Sequence, residues 1–297
     1  DLVVVNHHLF FADVMLRVAL QRLIRSESFD VIHAHNYEGL WVALQAQSVL
    51  PIVYHAHNAM ADELPYFLPM KKFSRTLGRW LDNTLPARAD HIIALHQPLA
   101  DYLVDKGCKK DRITVIPPPC DTEAFAQGPD IHPSSSTPFE LYAGNLDTYQ
   151  NLDLLRRAMA RVKTILPEAR LHIATSDRAD VPWADHVCRI TNFAALREIL
   201  AQDCIVVCPR VSWSGYPIKI VNAMAAGKPI VACRSSAHSL QHMINGYIVE
   251  DNDCISFAEA LILLIKDPAL RRRLGKEARR TACERHSFHA YATAIMD

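Results

Sequence analysis

The chain carries no surplus charge of either sign: 32 Lys and Arg residues balance 32 Asp and Glu residues in 297. No basic block marks a nucleic-acid surface and no acidic run marks a solvated tail, so nucleic acid is not expected as a partner. Long apolar runs are also missing. Stretches such as Ala260–Ile265 fall far short of the ~20 residues that cross a bilayer. The first residues lack the charged region, apolar stretch and small-residue cleavage site of a secretory signal. The eight cysteines (Cys108, Cys120, Cys188, Cys204, Cys208, Cys233, Cys254, Cys283) include no C-x-x-C pair, so buried, reduced thiols and a cytoplasmic location are the expectation. The sequence has no internal repeat.

Half of the residues are hydrophobic and 22% are charged, enough apolar matter for a sizeable core. At ~150 residues per domain the length suggests two domains. Short β-branched runs alternate with amphipathic stretches, the pattern of an α/β fold with helices on both faces of parallel sheets. Strands are expected at Leu2–Val5, Val31–His33, Ile52–Tyr54, His91–Leu95 and Ile113–Ile116, with helical spacing between them at Val14, Val18, Leu20 and Ile24 and at Leu99, Leu103 and Val104. In the second half, strands are expected at Phe139–Ala143, Leu171–Thr175, Ile205–Cys208, Pro229–Ala232 and Tyr247–Val249. Helices are expected there at Leu152–Leu166, Ala194–Gln202, Pro217–Ala226, Ser256–Ile265 and Pro268–His286. Gly128–Pro138, rich in Gly, Pro and Ser, reads as an exposed linker. Two Rossmann-like lobes, 1–128 and 139–297, joined through 129–138, would place a ligand cleft between the carboxyl ends of both sheets.

The most informative segment is Cys208–Pro229, CPRVSWSGYPIKIVNAMAAGKP. A strand ends at Cys208, a loop follows, Pro217 stands at the favoured first position of a helix and Gly227 ends it. The N-terminus of such a helix is a ready anion site. Lys219 and Asn222 are three residues apart and share a helix face. Arg210, in the preceding loop, can grip phosphate with two N–H groups. A well-capped structural helix with solvated charges is the plainer alternative.

Ser214–Ala232 resembles a segment of the family 4 retaining glycosyltransferases, which have the two-lobed GT-B fold. The family form is E-G-[FY]-P-x-x-x-x-E-A-M-A-x-G-x-P-V-V-A, and the chain has S-G-Y-P-I-K-I-V-N-A-M-A-A-G-K-P-I-V-A. Asn245–Val249 with Asp253, the end helix around Arg271–Ser287, Leu141–Leu155, Phe29–His35, Ala89–Leu95 and Arg112–Pro118 look like further family landmarks. The resemblance implies an α/β GT-B fold: an N-terminal acceptor lobe and a C-terminal nucleotide-sugar lobe, with the last helix able to cross back to the first. The family's opening strand, glycine-rich loop and helix have no counterpart before Leu2, so the first lobe is expected to lack its first βαβ unit.

Four charged positions of the family pattern are changed. Its two glutamates, implied to contact the donor sugar and the ribose, are Ser214 and Asn222, and its loop arginine and lysine, implied to neutralise the donor diphosphate, are Asn145 and Gln150. Asn222 still offers a donor and an acceptor to ribose hydroxyls. Arg210, Lys219 and the helix N-terminus stand as replacements for the lost cations. The implied donor set is Gly144, Asn145, Gln150, Arg210, Ser214, Gly215, Tyr216, Pro217, Lys219 and Asn222.

Histidines are frequent, 15 in all, and two pairs stand at strand ends: His33 with His35 and His55 with His57. Residues i and i+2 of a strand share a face, so each pair could bind a metal. No carboxylate or cysteine accompanies them at ligand spacing, and histidines satisfied by hydrogen bonds are commoner, so no metal is assigned. The resemblance implies that His57 holds the donor sugar or acceptor near the reacting carbon and that His35, Asn36 and Tyr37 line the acceptor side. Pro69–Asp82 spaces Phe73, Leu77, Trp80 and Leu81 on one side of a helix whose other positions include Lys71, Lys72, Arg75 and Arg79. Such a helix can pack its apolar stripe inward or lie on anionic lipid.

The expected function is a metal-independent, cofactor-free retaining transfer of a sugar from a nucleotide diphosphate donor to a glycan, lipid-linked or small-molecule acceptor. The alternative is a non-catalytic nucleotide-sugar or glycan-binding module that supports another transferase.

Overall fold

Runs of β-branched residues assemble into two separate parallel sheets, each in its own unit of the chain: residues 1–117 and 118–297. The computed structural model describes residues 2–46, 49–68, 70–126, 138–178 and 180–296, with side chains from Ala12 to Phe125 and from Pro138 on. The boundary falls before Pro118 rather than at 128. Residues 118–126 belong with the second unit because Cys120 N–H donates to the His286 carbonyl (2.7 Å) and the His286 imidazole donates from Nδ1 to the Pro118 carbonyl (2.8 Å). The expected linker, apart from Pro138, lies outside the described residues.

The first unit runs α1 (Leu2–Ser26), β1 (Ile32–His35), α2 (Asn36–Gln45), β2 (Ile52–Ala56), α3 (Met60–Phe67), α4 (Lys71–Thr84), β3 (His91–Ala94), α5 (Gln97–Asp105) and β4 (Ile113–Val115). The four strands lie in sequence order. Leu2–Val5 is the first turn of α1, not a strand. A four-residue apolar run carries no period of its own, and no Gly or Pro interrupts the chain from there to Ser26.

Helix α4 departs from the expected inward apolar stripe. Its buried face is Ser74, Gly78 and Asp82, whereas Phe73 and Trp80 are 61% and 60% exposed. Small residues bring α4 so close to α3 that a Cβ at Gly78 would collide with the Met60 carbonyl. The Asp82 carboxylate completes the contact. It accepts from Met60 N–H and Ala61 N–H (3.0 Å each) at the start of α3, from the Tyr102 hydroxyl (2.7 Å) and from the Tyr37 hydroxyl.

The second unit contains α6 (Thr122–Ala126), β5 (Phe139–Ala143), α7 (Leu152–Ile165), β6 (Leu171–Thr175), β7 (His186–Arg189), α8 (Phe193–Leu200) and β8 (Cys204–Cys208). It continues with α9 (Ile218–Ala225), β9 (Ile230–Cys233), β10 (Tyr247–Val249), α10 (Cys254–Lys266), α11 (Pro268–Arg285) and α12 (Phe288–Met296). Tyr142, Ile173, Ile205 and Val207 pack with Leu154, Leu155 and Ala158 of α7 and with Phe257, Leu261 and Leu264 of α10. All five residues of β8 are buried, as a strand covered on both faces requires. Strand β7 has no expected counterpart: it is a mostly exposed edge strand, HVCR, without an apolar run to announce it.

The strand order is β10-β9-β8-β5-β6-β7, all parallel. The chain direction across the sheet therefore reverses between β5 and β8. Ligands of open α/β sheets bind in the crevice beyond the carboxyl ends of the two strands at such a reversal. No helix among the described residues is long and apolar enough to cross a membrane. All eight cysteines are free thiols.

Candidate functional site

At the carboxyl ends of β5 and β8 lies a cavity of about 340 Å³. Gly144, Asn145 and Gln150 reach it from the loop after β5, Arg210 from the loop after β8, and Tyr216, Pro217, Lys219 and Asn222 from the start of α9. Pro217 is the N-cap of α9, one position before the first helical residue, and Gly227 ends the helix with φ +66°. Two expected donor residues do not line the cavity. Ser214 is buried, and Gly215 acts indirectly, because a Cβ there would collide with the Arg210 guanidinium.

Lys219 is the centre of the polar arrangement. Its Nζ donates to the Tyr142 hydroxyl (2.9 Å) and to Gln150 Oε1 (2.8 Å), and it lies 4.0 Å from the Tyr142 ring centroid. Gln150 Nε2 donates in turn to Asn145 Oδ1 (2.5 Å), and Asn145 Nδ2 donates to the Tyr149 hydroxyl (2.8 Å). The ammonium of α9 thus sits on the loop whose own positions 145 and 150 are uncharged. Gly144 makes room for it, since a Cβ there would lie 2.7 Å from Nζ. Burial, with the nearby Arg210 cation adding to it, pushes the Lys219 amine down to about 8. Arg210 lies 5.0 Å from the Tyr149 ring centroid and is steadied by bonds to the Ser212 carbonyl (3.3 Å) and hydroxyl (3.2 Å).

The remaining wall is apolar: Ile190, Leu196, Leu200 and Val206, with Thr175 and Ser176 at the end of β6. No motif in the sequence announces these residues. Only the sheet order brings the end of β6 and helix α8 beside the Gly144 loop; Thr175 and Ser176, polar residues closing an apolar strand, were the available signal. The cavity combines a cationic end with an apolar slot, which suits an anion joined to a flat, mostly apolar group.

In the first unit, register determines the arrangement. β1 and β2 pair in parallel with His35 opposite His55. His33, His35, His55 and His57 therefore crowd one face, with His33 and His55 stacked at 5.4 Å between centroids and His35 Nδ1 3.1 Å from His57 Nε2. Burial and mutual repulsion lower His33 and His57, and bring His55 down to about 3. His35 and Asn36 are exposed at the end of β1. Tyr37, expected beside them, is instead a packing residue: its ring is buried and its hydroxyl is committed to Asp82.

The profile of Glycosyltransferase Family 4 matches residues 3–124, and that of glycosyl transferases group 1 matches residues 138–267. The chain belongs to glycosyltransferase family 4. A D-inositol 3-phosphate glycosyltransferase of Stackebrandtia nassauensis is 26% identical over 293 residues, covering 84% of this chain and 63% of that protein. The chain thus spans less than two thirds of that relative's length. Among solved structures, sucrose-phosphate synthase from Thermosynechococcus elongatus superposes with a TM-score of 0.76 at 19% identity, over 95% of this chain and 75% of that one. Anabaena HepE in complex with UDP-glucose gives 0.74 at 16% identity, over 96% and 80%. These likenesses establish the GT-B fold for this family 4 chain.

Proposed function

We propose that this family 4 chain transfers a sugar from a nucleoside diphosphate donor, and that it neutralises the diphosphate from α9 and the β8 loop rather than from the β5 loop. The observation that carries this reading is Lys219: its ammonium lies on the loop after β5, in space that Gly144 leaves open, at the switch point of the sheet. Leaving-group charge is the largest electrostatic demand of the reaction. Lys219, Arg210 and the first N–H groups of α9 meet it without a metal ion at the diphosphate. The apolar slot between Ile190 and Leu200 takes the base, and Asn222 takes the ribose hydroxyls. A donor phosphate beside the Lys219 amine favours its charged form and raises its pKa, so binding and protonation reinforce each other.

The chemistry is retaining, with front-face attack by the acceptor hydroxyl and no stable covalent intermediate. The first unit takes the acceptor, with His35 and Asn36 exposed at the end of β1 and His57, held neutral, positioning the reacting sugar. The outward Phe73 and Trp80 beside Lys71, Lys72, Arg75 and Arg79 favour a lipid-linked acceptor met at an anionic membrane surface, on the cytoplasmic face. A donor-hydrolysis and transfer screen over common nucleotide sugars, with the product anomer read by NMR, tests the proposal. Turnover with retention that Lys219→Met abolishes is the expected result. Tight donor binding with no turnover for any donor and acceptor would select the supporting-module reading, in which Ser214, buried where the family has a glutamate, no longer serves catalysis.

A further inference from the structure

We propose that His33, His35 and His55 form a binding site for one divalent transition-metal ion of the zinc class, on the face of the first sheet where β1 and β2 end. One ring nitrogen from each of the three lies within 4.8 Å of the others. At a Zn–N distance of ~2.0 Å, two ligands of one tetrahedral ion stand about 3.3 Å apart, so modest side-chain rotation closes the set. The arrangement is built by the backbone. His33 and His35 are two apart in β1, and parallel pairing sets His35 opposite His55.

The donor set names the class of ion. Three imidazoles with no carboxylate suit zinc, cobalt, nickel or copper and do not suit magnesium or calcium, which require oxygen ligands. His33 and His35 are exposed while His55 is buried, so the ion has a way in and its fourth position faces water. His57 supplies the outer contact: with His35 Nδ1 engaged on His57 Nε2 at 3.1 Å, His35 has Nε2 left for the metal. A metal-bound His35 carries its proton on Nδ1 and donates it to His57, which fixes the tautomer and ring orientation of both. The ion therefore ties the ends of β1 and β2 together and orients His57. The inference rests on the histidine geometry alone and stands or falls apart from nucleotide binding in the second unit.

The test is metal binding by the full chain, freed of any histidine tag and stripped with chelator. Cobalt(II) is titrated in while visible absorption is followed, and zinc is then added in competition. One cobalt per chain with a tetrahedral absorption band, displaced by one zinc, is expected. His33→Gln and His55→Gln should each weaken binding about tenfold or more, and His91→Gln, elsewhere on the same sheet, should leave it unchanged. His33 is exposed, so its replacement leaves the core untouched and decides the matter even if the His55 variant fails to fold. No tetrahedral band in the parent protein, or a band that survives unchanged in His33→Gln, overturns the proposal.

Discussion

Replacing Lys219 with methionine should raise the stability of the second unit at neutral pH while weakening its affinity for diphosphate by about tenfold. Keeping the ammonium charged in the fold lowers its pKa from 10.5 to about 8. At ~1.4 kcal/mol per pH unit, that is a cost of about 3 kcal/mol at pH 7, where the amine is charged both folded and unfolded. Against it stand the bonds from Nζ to Tyr142 and Gln150, about 1 kcal/mol each. Methionine keeps the apolar stem, so the variant should be more stable by about 1 kcal/mol at pH 7. The sign then changes with pH. Between about 8 and 10.5 the unfolded parent chain binds a proton that the folded one does not, so parental stability rises through that window. The two proteins should be equally stable near pH 9, and the parent the more stable by about 1 kcal/mol at pH 10. Urea unfolding followed by far-UV ellipticity at pH 7 and pH 10 measures this. A variant that is less stable at pH 7, by an amount that does not change at pH 10, would refute the reasoning.

The same lysine sets a pH dependence for binding: nucleoside diphosphate affinity should be nearly level between about pH 7, above the second phosphate ionisation near 6, and about pH 8, and fall by up to about tenfold per pH unit above it, a slope that calorimetry should find missing in Lys219→Met. Gly144→Ala places a methyl group 2.7 Å from Nζ and should weaken diphosphate binding by about tenfold, read by the same titration. Asp82→Ala strands two hydroxyls and two backbone N–H groups of the first unit. It should cost at least about 3 kcal/mol in urea unfolding. Phe73→Ser combined with Trp80→Ser should abolish co-sedimentation with anionic vesicles and shift stability by less than about 0.5 kcal/mol; a large stability loss instead would mean that these rings pack within the fold.

Where burial governs local structure, the sequence was informative. The runs Cys204–Cys208 and Ile230–Cys233 are strands covered on both faces, and the spacing of Lys219 and Asn222 does bring both to one cavity. Features fixed by long-range pairing were hidden. The histidine cluster exists because β1 and β2 align His35 with His55, which no reading of either pair alone reveals. Helix α4 turned its aromatics outward because Ser74 and Gly78 permit a closer contact with α3 than its larger side chains do, and because Asp82 satisfies the start of that neighbour. Tyr37 turns into the core rather than toward the end of β1 for a related reason: its partner, Asp82, is 45 residues away. Likewise Leu2–Val5 has strand composition, and its helical state follows from the uninterrupted chain beyond it.

The central claim is that cations from α9 and the β8 loop hold the donor diphosphate. Calorimetric titration of the tightest-binding nucleoside diphosphate and of its monophosphate tests it most directly, in the parent protein and in the double variant Arg210→Ala with Lys219→Met. The parent should prefer the diphosphate by about 100-fold, the worth of two charge-assisted contacts. The variant should bind the monophosphate through the unchanged apolar slot and lose that preference. An equal preference in both proteins would contradict the account.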